Sequence, residues 1–214
     1  MTQSSWFDFP SAMSSPAITN FPSITFVRNG QMEDISVMGE ILALSFSNFN
    51  NFTFWIYPLY KLGICSELKS RLQEQLAKHK DDRDTYCLVA VQVTNINKQI
   101  SQQVVGTVEF SIRCRSSWYN HNKYGYISNL AVNPNYRRQG IASKLLEKCE
   151  QIAKEKSLPE ISLHVLASNE IGNQLYNKNG YDVKQVETDL YSLFVTSKRR
   201  LLMSKQLSPN TNDE

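Results

Sequence analysis

The sequence predicts an α/β domain organised around a parallel β-α-β unit at residues 124–181. Three observations predict it. Tyr124–Val132 is rich in β-branched and aromatic residues and ends in the turn residues Asn133, Pro134 and Asn135. From Ser143 the period becomes helical, with Leu145, Cys149, Ile152 and Ala153 three or four residues apart and Lys and Glu between them. Ser157, Leu158 and Pro159 stop that helix, and Ile161–Leu166 is a second short apolar strand. Two strands joined by one helix form a right-handed crossover and lie parallel. The turn at 135–142 then stands at the carboxyl end of a strand and the amino end of a helix.

The other elements follow in order. Residues 1–23 contain no Lys or Arg and read as a flexible leader, the alternative being that Trp6, Phe7, Phe9 and Phe21 dock on the domain surface; neither a secretory signal nor an Arg-rich transit peptide fits them. Ile24–Arg28 is a first strand ended by Asn29 and Gly30, and Met32–Phe46 a helix with Ile35, Met38, Ile41, Leu42 and Leu44 on or near its buried face. Residues 47–60 are polar and aromatic with little period, and Leu62–Lys80 is a further helix. Tyr86–Val93 and Val104–Arg113 are strands joined through a polar hairpin link, Thr94–Gln103; Cys114–Lys123 is a loop. Glu109 sits inside the second of these strands. It is a candidate base, although a carboxylate on the solvated face of a half-buried strand is the commoner case. After Tyr181, a strand Asp182–Val186 and a hairpin through Leu190–Thr196 and Arg200–Gln206 complete the sheet, and 208–214 is a tail. The domain spans 24–207.

Composition sets the class. A chain of 214 residues, 41% hydrophobic and 20% charged, describes one soluble domain with a sizeable core. A net charge of +3 without a basic, aromatic-interleaved stripe gives no reason to expect nucleic acid, and no apolar run approaches a membrane span. Cys65, Cys87, Cys114 and Cys149 are widely spaced, with no C-x-x-C pair. They predict neither metal site nor disulfide framework, but reduced thiols in the cytoplasm.

Chemistry first shows in the turn. Arg137 and Arg138 stand just before a helix amino terminus, where the macrodipole disfavours positive charge. Gly140 and Ala142 leave the backbone bare, so unpaired N–H groups can face one point. Cations, free N–H groups and small residues together suit a phosphate. An ordinary solvated turn with a packing glycine would read the same from spacing alone.

Context separates the two. Arg137-Arg138-Gln139-Gly140-Ile141-Ala142 resembles the Q/R-x-x-G-x-G/A motif with which the GNAT acetyltransferase superfamily holds the pyrophosphate of acetyl-CoA, and it lies between a strand and a helix as that family requires. Leu163–Tyr181 resembles the family's second block, N…LYxxxGY. The resemblance implies a GNAT fold: a mixed, mostly antiparallel sheet of six to seven strands with a central parallel β-α-β unit and flanking helices. It implies acetyl-CoA as co-substrate and no metal. Backbone groups of Leu130, Ala131 and Val132 would bind pantetheine and polarise the carbonyl. Arg137, Arg138, Gln139, Gly140, Ile141, Ala142 and Ser143 would hold the pyrophosphate. Asn169, Glu170 and Ile171 would line the cofactor, and Tyr176 would give a proton to the departing sulfur. Residues 47–60 would border the acceptor groove, although Phe52, Phe54 and Trp55 also suit a core.

Tyr126 and His164 lie on the two parallel strands, each on the face opposite the most apolar set. Their pairing resembles eukaryotic N-terminal acetyltransferases in which a Tyr and a His handle the amine proton; a strand histidine and a core aromatic is the plainer alternative. The body of the chain also resembles the plastid GNAT enzymes of plants, which acetylate protein N-termini and lysines, and with no recognisable transit segment it suits a cyanobacterial relative of them. The expected reaction is acetyl transfer to a primary amine of a protein or peptide by a monomer or homodimer. The rivals are a small-molecule N-acetyltransferase, which an anionic acceptor pocket would favour, and an acyl-CoA-binding regulatory domain without turnover.

Overall fold

The computed structural model describes residues 24–46, 57–79, 82–96, 99–117, 120–187 and 199–207. The strands are β1 (Ile24–Asn29), β2 (Thr85–Ile96), β3 (Gln99–Ser117), β4 (Asn120–Val132), β5 (Glu160–Leu166), β6 (Asp182–Glu187) and β7 (Arg200–Gln206); the helices are α1 (Ile35–Phe46), α2 (Tyr57–Ala77), α3 (Ile141–Glu155) and α4 (Glu170–Lys178). They form one seven-stranded sheet in the order β1-β2-β3-β4-β5-β7-β6. Only β4 and β5 run parallel, around the α3 crossover; every other pair is antiparallel.

Side-chain alternation divides the interior into two cores. Phe110, Ile127, Ile161 and Leu163 point to one face and pack with Ile141, Leu145, Leu146, Cys149 and Ile152 of α3. Each large aliphatic side chain so buried contributes about 1.5–3 kcal/mol. Cys87, Val89, Val91, Val104 and Ala131 point to the other face, against Met38, Ile41 and Leu42 of α1 and Leu68 and Leu72 of α2. α1 and α2 cross so closely at Gly39 that an added Cβ would stand 2.4 Å from the Cys65 sulfur. Leu44, expected near the buried face of α1, is 49% exposed.

Several element bounds differ from expectation. The supposed loop Cys114–Lys123 is mostly strand, because β3 continues to Ser117 and β4 begins at Asn120. The polar link between β2 and β3 is likewise absorbed, with the ladder running to Ile96↔Gln99. Antiparallel neighbours supply each other's backbone hydrogen bonds, so polar residues extend these strands without apolar alternation to announce them. α2 starts at Tyr57, with Pro58 in the first turn where its missing N–H costs nothing. β7 enters between β5 and β6. Residues 1–23 and 208–214, the expected strand Leu190–Thr196, and Phe52, Phe54 and Trp55 lie outside the described residues.

Candidate functional site

The parallel pair positions the site by coming apart. β4 and β5 are in register only from Gly125↔Ile161 to Ile127↔Leu163. Immediately beyond, β4 carries an extra residue against β3: Glu109 pairs with Ser128 and Thr107 with Ala131. Asn129, with φ 52°, takes the left-handed conformation that this bulge requires and that asparagine tolerates. The segment Leu130–Val132 therefore leaves the ladder with β5 at the sheet's centre, where its backbone can meet an extended ligand. Leu130 is half-buried, while Ala131 and Val132 are buried on opposite faces.

The turn that follows is a cradle built of backbone. Arg138 and Gly140 both have positive φ, 64° and 75°, and Gly140 caps α3 without any side-chain hydrogen bond. The first helical bond runs from the Lys144 N–H to the Gly140 carbonyl. Among the described residues, the N–H groups of Gly140, Ile141, Ala142 and Ser143 consequently have no acceptor, and they carry the positive end of the helix dipole. No atom lies within 4 Å of where a Gly140 Cβ would be, so the space above the turn is open. Coenzyme A pyrophosphate fits this arrangement of donors.

The side chains divide the work. Arg137 folds back, its Nε donating to the Val132 carbonyl at 3.1 Å and its Nη2 to Ser45 Oγ at 3.4 Å. Gln139 accepts from Gln92 at 3.3 Å. Arg138 remains exposed with no ion pair among the described residues, the cation available to a phosphate. Ile141 is buried and anchors the helix in the core, so only its N–H faces the cradle. Ser143 Oγ accepts from Asn179 Nδ2 at 3.2 Å, tying the start of α3 to the end of α4. Asn169 caps α4 by accepting from the Gly172 N–H at 2.9 Å, and Glu170 and Ile171 are exposed in that helix's first turn.

Tyr176 projects from α4 onto the first core and packs edge-on against Tyr181, centroids 6.1 Å apart. Its hydroxyl has no hydrogen bond among the described residues. Burial pushes the phenol up to about 12, helped by the neighbouring Cys149 and Tyr126. It therefore stays protonated at every working pH. Transfer to a thiolate of ordinary pKa ~8.5 is uphill, but a dry site raises thiols too: burial takes Cys87 from 9.0 to about 12.

On the opposite face, the Tyr126 hydroxyl lies 2.9 Å from His164 Nδ1, and His164 Nε2 lies 2.9 Å from Glu187 Oε1. The Arg113 guanidinium stacks on the Tyr126 ring, 3.4 Å from its centroid. Glu109, expected on a solvated face, is buried at 2% exposure and ion-paired with Arg71, which also binds Glu67. The reason is α2, which covers this half of the sheet and brings Arg71 over the strand. A cavity of about 320 Å³ is lined there by Leu42, Tyr60, Ile64, Glu67, Leu68, Glu109 and Asn129. Sequence reasoning missed Glu187, Arg71, Asn179 and Arg113; the first three hydrogen-bond to partners 23 to 38 residues away, and Arg113 stacks on Tyr126. Among the described residues no cluster of His, Cys, Asp and Glu could hold a metal ion, none of the cysteines is paired, and no helix is long and apolar enough to cross a membrane.

A backbone anion cradle, a splayed parallel pair and a protonated phenol between them define an acetyl-CoA-dependent N-acetyltransferase domain. The acetyltransferase (GNAT) family profile matches residues 52–181, and the chain belongs to that family. It is 29% identical over 176 residues to GCN5-related N-acetyltransferase 10, chloroplastic, of Arabidopsis thaliana, covering 80% of this chain and 66% of the relative. It is 30% identical over 137 residues to GCN5-related N-acetyltransferase 6, chloroplastic, of the same plant, covering 52% and 48%. The chain thus spans between about half and two thirds of these relatives. Among solved structures, PaiA N-acetyltransferase from Thermoplasma acidophilum in complex with coenzyme A has a TM-score of 0.62 at 20% identity, covering 86% of this chain and 99% of that one. Arabidopsis thaliana NAA60 in complex with a bisubstrate analogue has a TM-score of 0.61 at 15% identity, covering 87% and 100%. These likenesses show the fold.

The expectation of a cytoplasmic protein is corrected. The Arabidopsis relatives are chloroplastic, which points to a plastid. Widely spaced cysteines do not say which compartment holds the chain.

Proposed function

We propose that this domain acetylates protein or peptide amines, with N-terminal α-amines favoured over internal lysines. The observation that carries the reading is the Tyr126–His164 contact at 2.9 Å, on the acceptor face and near enough to Tyr176 for the two phenols to influence each other. Acetyl-CoA supplies the activated acyl group. Arg138 and the N–H groups of Gly140 to Ser143 hold its pyrophosphate, the backbone of Leu130–Val132 orients its pantetheine, and Asn169, Glu170 and Ile171 border it. Tyr176 donates its proton toward the sulfur.

The acceptor must be neutral to attack. An α-amine of pKa ~7.7–8.0 is partly neutral near pH 7.5, whereas lysine at ~10.4 is almost wholly charged, so a phenol–imidazole pair serves the first far better. The NatC complex bound to a Gag peptide and CoA shares the fold, which is compatible with a peptide acceptor.

The cavity carrying Glu67 and Glu109 favours a second reading, a small cationic acceptor. Streptothricin acetyltransferase A of Bacillus subtilis is 26% identical over 65% of this chain. Arg71 offsets one of the two carboxylates, and the single negative charge left suits an α-ammonium equally. Release of free thiol from acetyl-CoA, measured with N-terminal peptides, internal-lysine peptides, polyamines and streptothricin, separates the readings. The peptide α-amines are expected to have the highest kcat/KM; turnover confined to small amines would overturn the proposal.

A further inference from the structure

We infer that Glu187 is the positioning residue of a proton relay, Glu187–His164–Tyr126, in which Tyr126 takes the acceptor's proton and His164 receives Tyr126's own. The inference rests on the amine-acetylation reading above. An ionised carboxylate only accepts hydrogen bonds, so Glu187 Oε1, 2.9 Å from Nε2, requires the proton on that nitrogen. Nδ1 then carries a lone pair and must accept from the Tyr126 hydroxyl, also at 2.9 Å. The phenol's own proton is thereby directed away from the acceptor, and the oxygen's lone pairs are left for an ammonium N–H.

The step balances without an added reactant. One proton leaves the amine nitrogen for the Tyr126 oxygen as the Tyr126 proton moves to Nδ1. This leaves a neutral amine, a neutral phenol and an imidazolium with both nitrogens protonated. The Glu187 carboxylate faces that new cation directly, and the proton is later lost from the imidazolium to solvent. Arg113 on the Tyr126 ring steadies negative charge on the phenol oxygen as its proton departs. Among the described residues, Arg200 on β7 also faces the relay, its Nε 4.0 Å from Glu187 Oε2.

The placement is a product of strand order. His164 registers with Leu202 of β7, Leu202 registers with Gln185 of β6, and Glu187 lies two residues beyond on the same face. Its side chain reaches across the intervening strand to His164.

Two measurements test the relay on the full chain. The chain has three histidines, so ¹⁵N NMR of the imidazoles, with His164 assigned by its loss in His164→Ala, reads the tautomer; the expected form carries its proton on Nε2. Glu187→Gln keeps an acceptor but removes the charge. Its kcat with an N-terminal peptide should fall about tenfold or more, part of the ~10²–10⁴ that general acid–base catalysis supplies. KM for acetyl-CoA should stay within about twofold of wild type, as a purely structural defect would not allow, and Glu187→Asp should recover part of the loss. A wild-type proton on Nδ1, or wild-type kcat in Glu187→Gln, overturns the relay. If His164→Ala is slow while Glu187→Gln is not, the relay falls and the acetylation reading stands; if His164→Ala also turns over normally, the Tyr126–His164 reading falls with it.

Discussion

The two faces of the splayed β4–β5 pair solve their recognition problems with different parts. On the proposed cofactor side, the ligand contacts offered are mainly main-chain groups, an αL glycine, unfilled helix N–H groups and a strand released from its neighbour, joined by the exposed Arg138. On the proposed acceptor side they are side chains from four strands and a helix: Tyr126, His164, Glu187, Arg113, and Glu109 held by Arg71. A pyrophosphate is the same in every reaction and can be met by geometry that any local sequence of the right shape supplies. An acceptor varies, and side chains can vary with it while the backbone stays put.

Between the faces stands Tyr176, and removing its hydroxyl should have the largest effect. Tyr176→Phe is expected to lower kcat by ~10²–10⁴-fold, with acetyl-CoA affinity nearly unchanged. Wild-type kcat under conditions where chemistry limits the rate would reduce Tyr176 to packing.

The cofactor side alone is addressed by Gly140→Glu. The open space above the turn lets the side chain be accommodated, and the positive φ costs about 1–2 kcal/mol of stability. The carboxylate then occupies the phosphate's position. Calorimetry should show acetyl-CoA affinity reduced about a hundredfold, ~2.7 kcal/mol, in a folded protein. Unchanged affinity would mean the phosphates bind elsewhere.

Arg71→Ala addresses the acceptor side. It leaves Glu109 buried without its partner, which in fully buried pairs costs ~3–5 kcal/mol; Arg71 is 37% exposed, so water reaches the site and about 2 kcal/mol is expected. Urea denaturation measures it. Adding Glu109→Gln should restore part of the stability, and a strictly additive double mutant would show that the pair is not coupled.

A further effect concerns pH. Cys87 and Tyr176 are both raised to about 12 in the folded state, from 9.0 and 10.0, chiefly by burial. The unfolded chain therefore loses these protons first, and stability is fully present below about pH 9 and declines as pH rises toward 12. Urea midpoints at pH 8 and pH 10.5 should differ in that direction. Equal midpoints would mean that these groups are wetter than their packing indicates.

The difference between the faces also explains what could be read in advance. The β-α-β unit, the cradle residues Arg138 to Ser143 and the place of Tyr176 are set by spacing within residues 124–181, because a strand, a turn and a helix that follow one another position each other through local backbone geometry. Tyr126 and His164 could be placed on one face because strand alternation has a fixed period of two. Their partner Glu187 could not, since only the entry of β7 between β5 and β6 brings it across. The burial of Glu109 likewise depended on α1 and α2 packing on that face and on Arg71 of α2 reaching the strand, and no period in the strand foretells which helices cover it. Local order decided where the helix-capping turn and its unfilled N–H groups fall; long-range strand and helix packing decided which charged groups stand beside Tyr126, His164 and the cavity at Glu109.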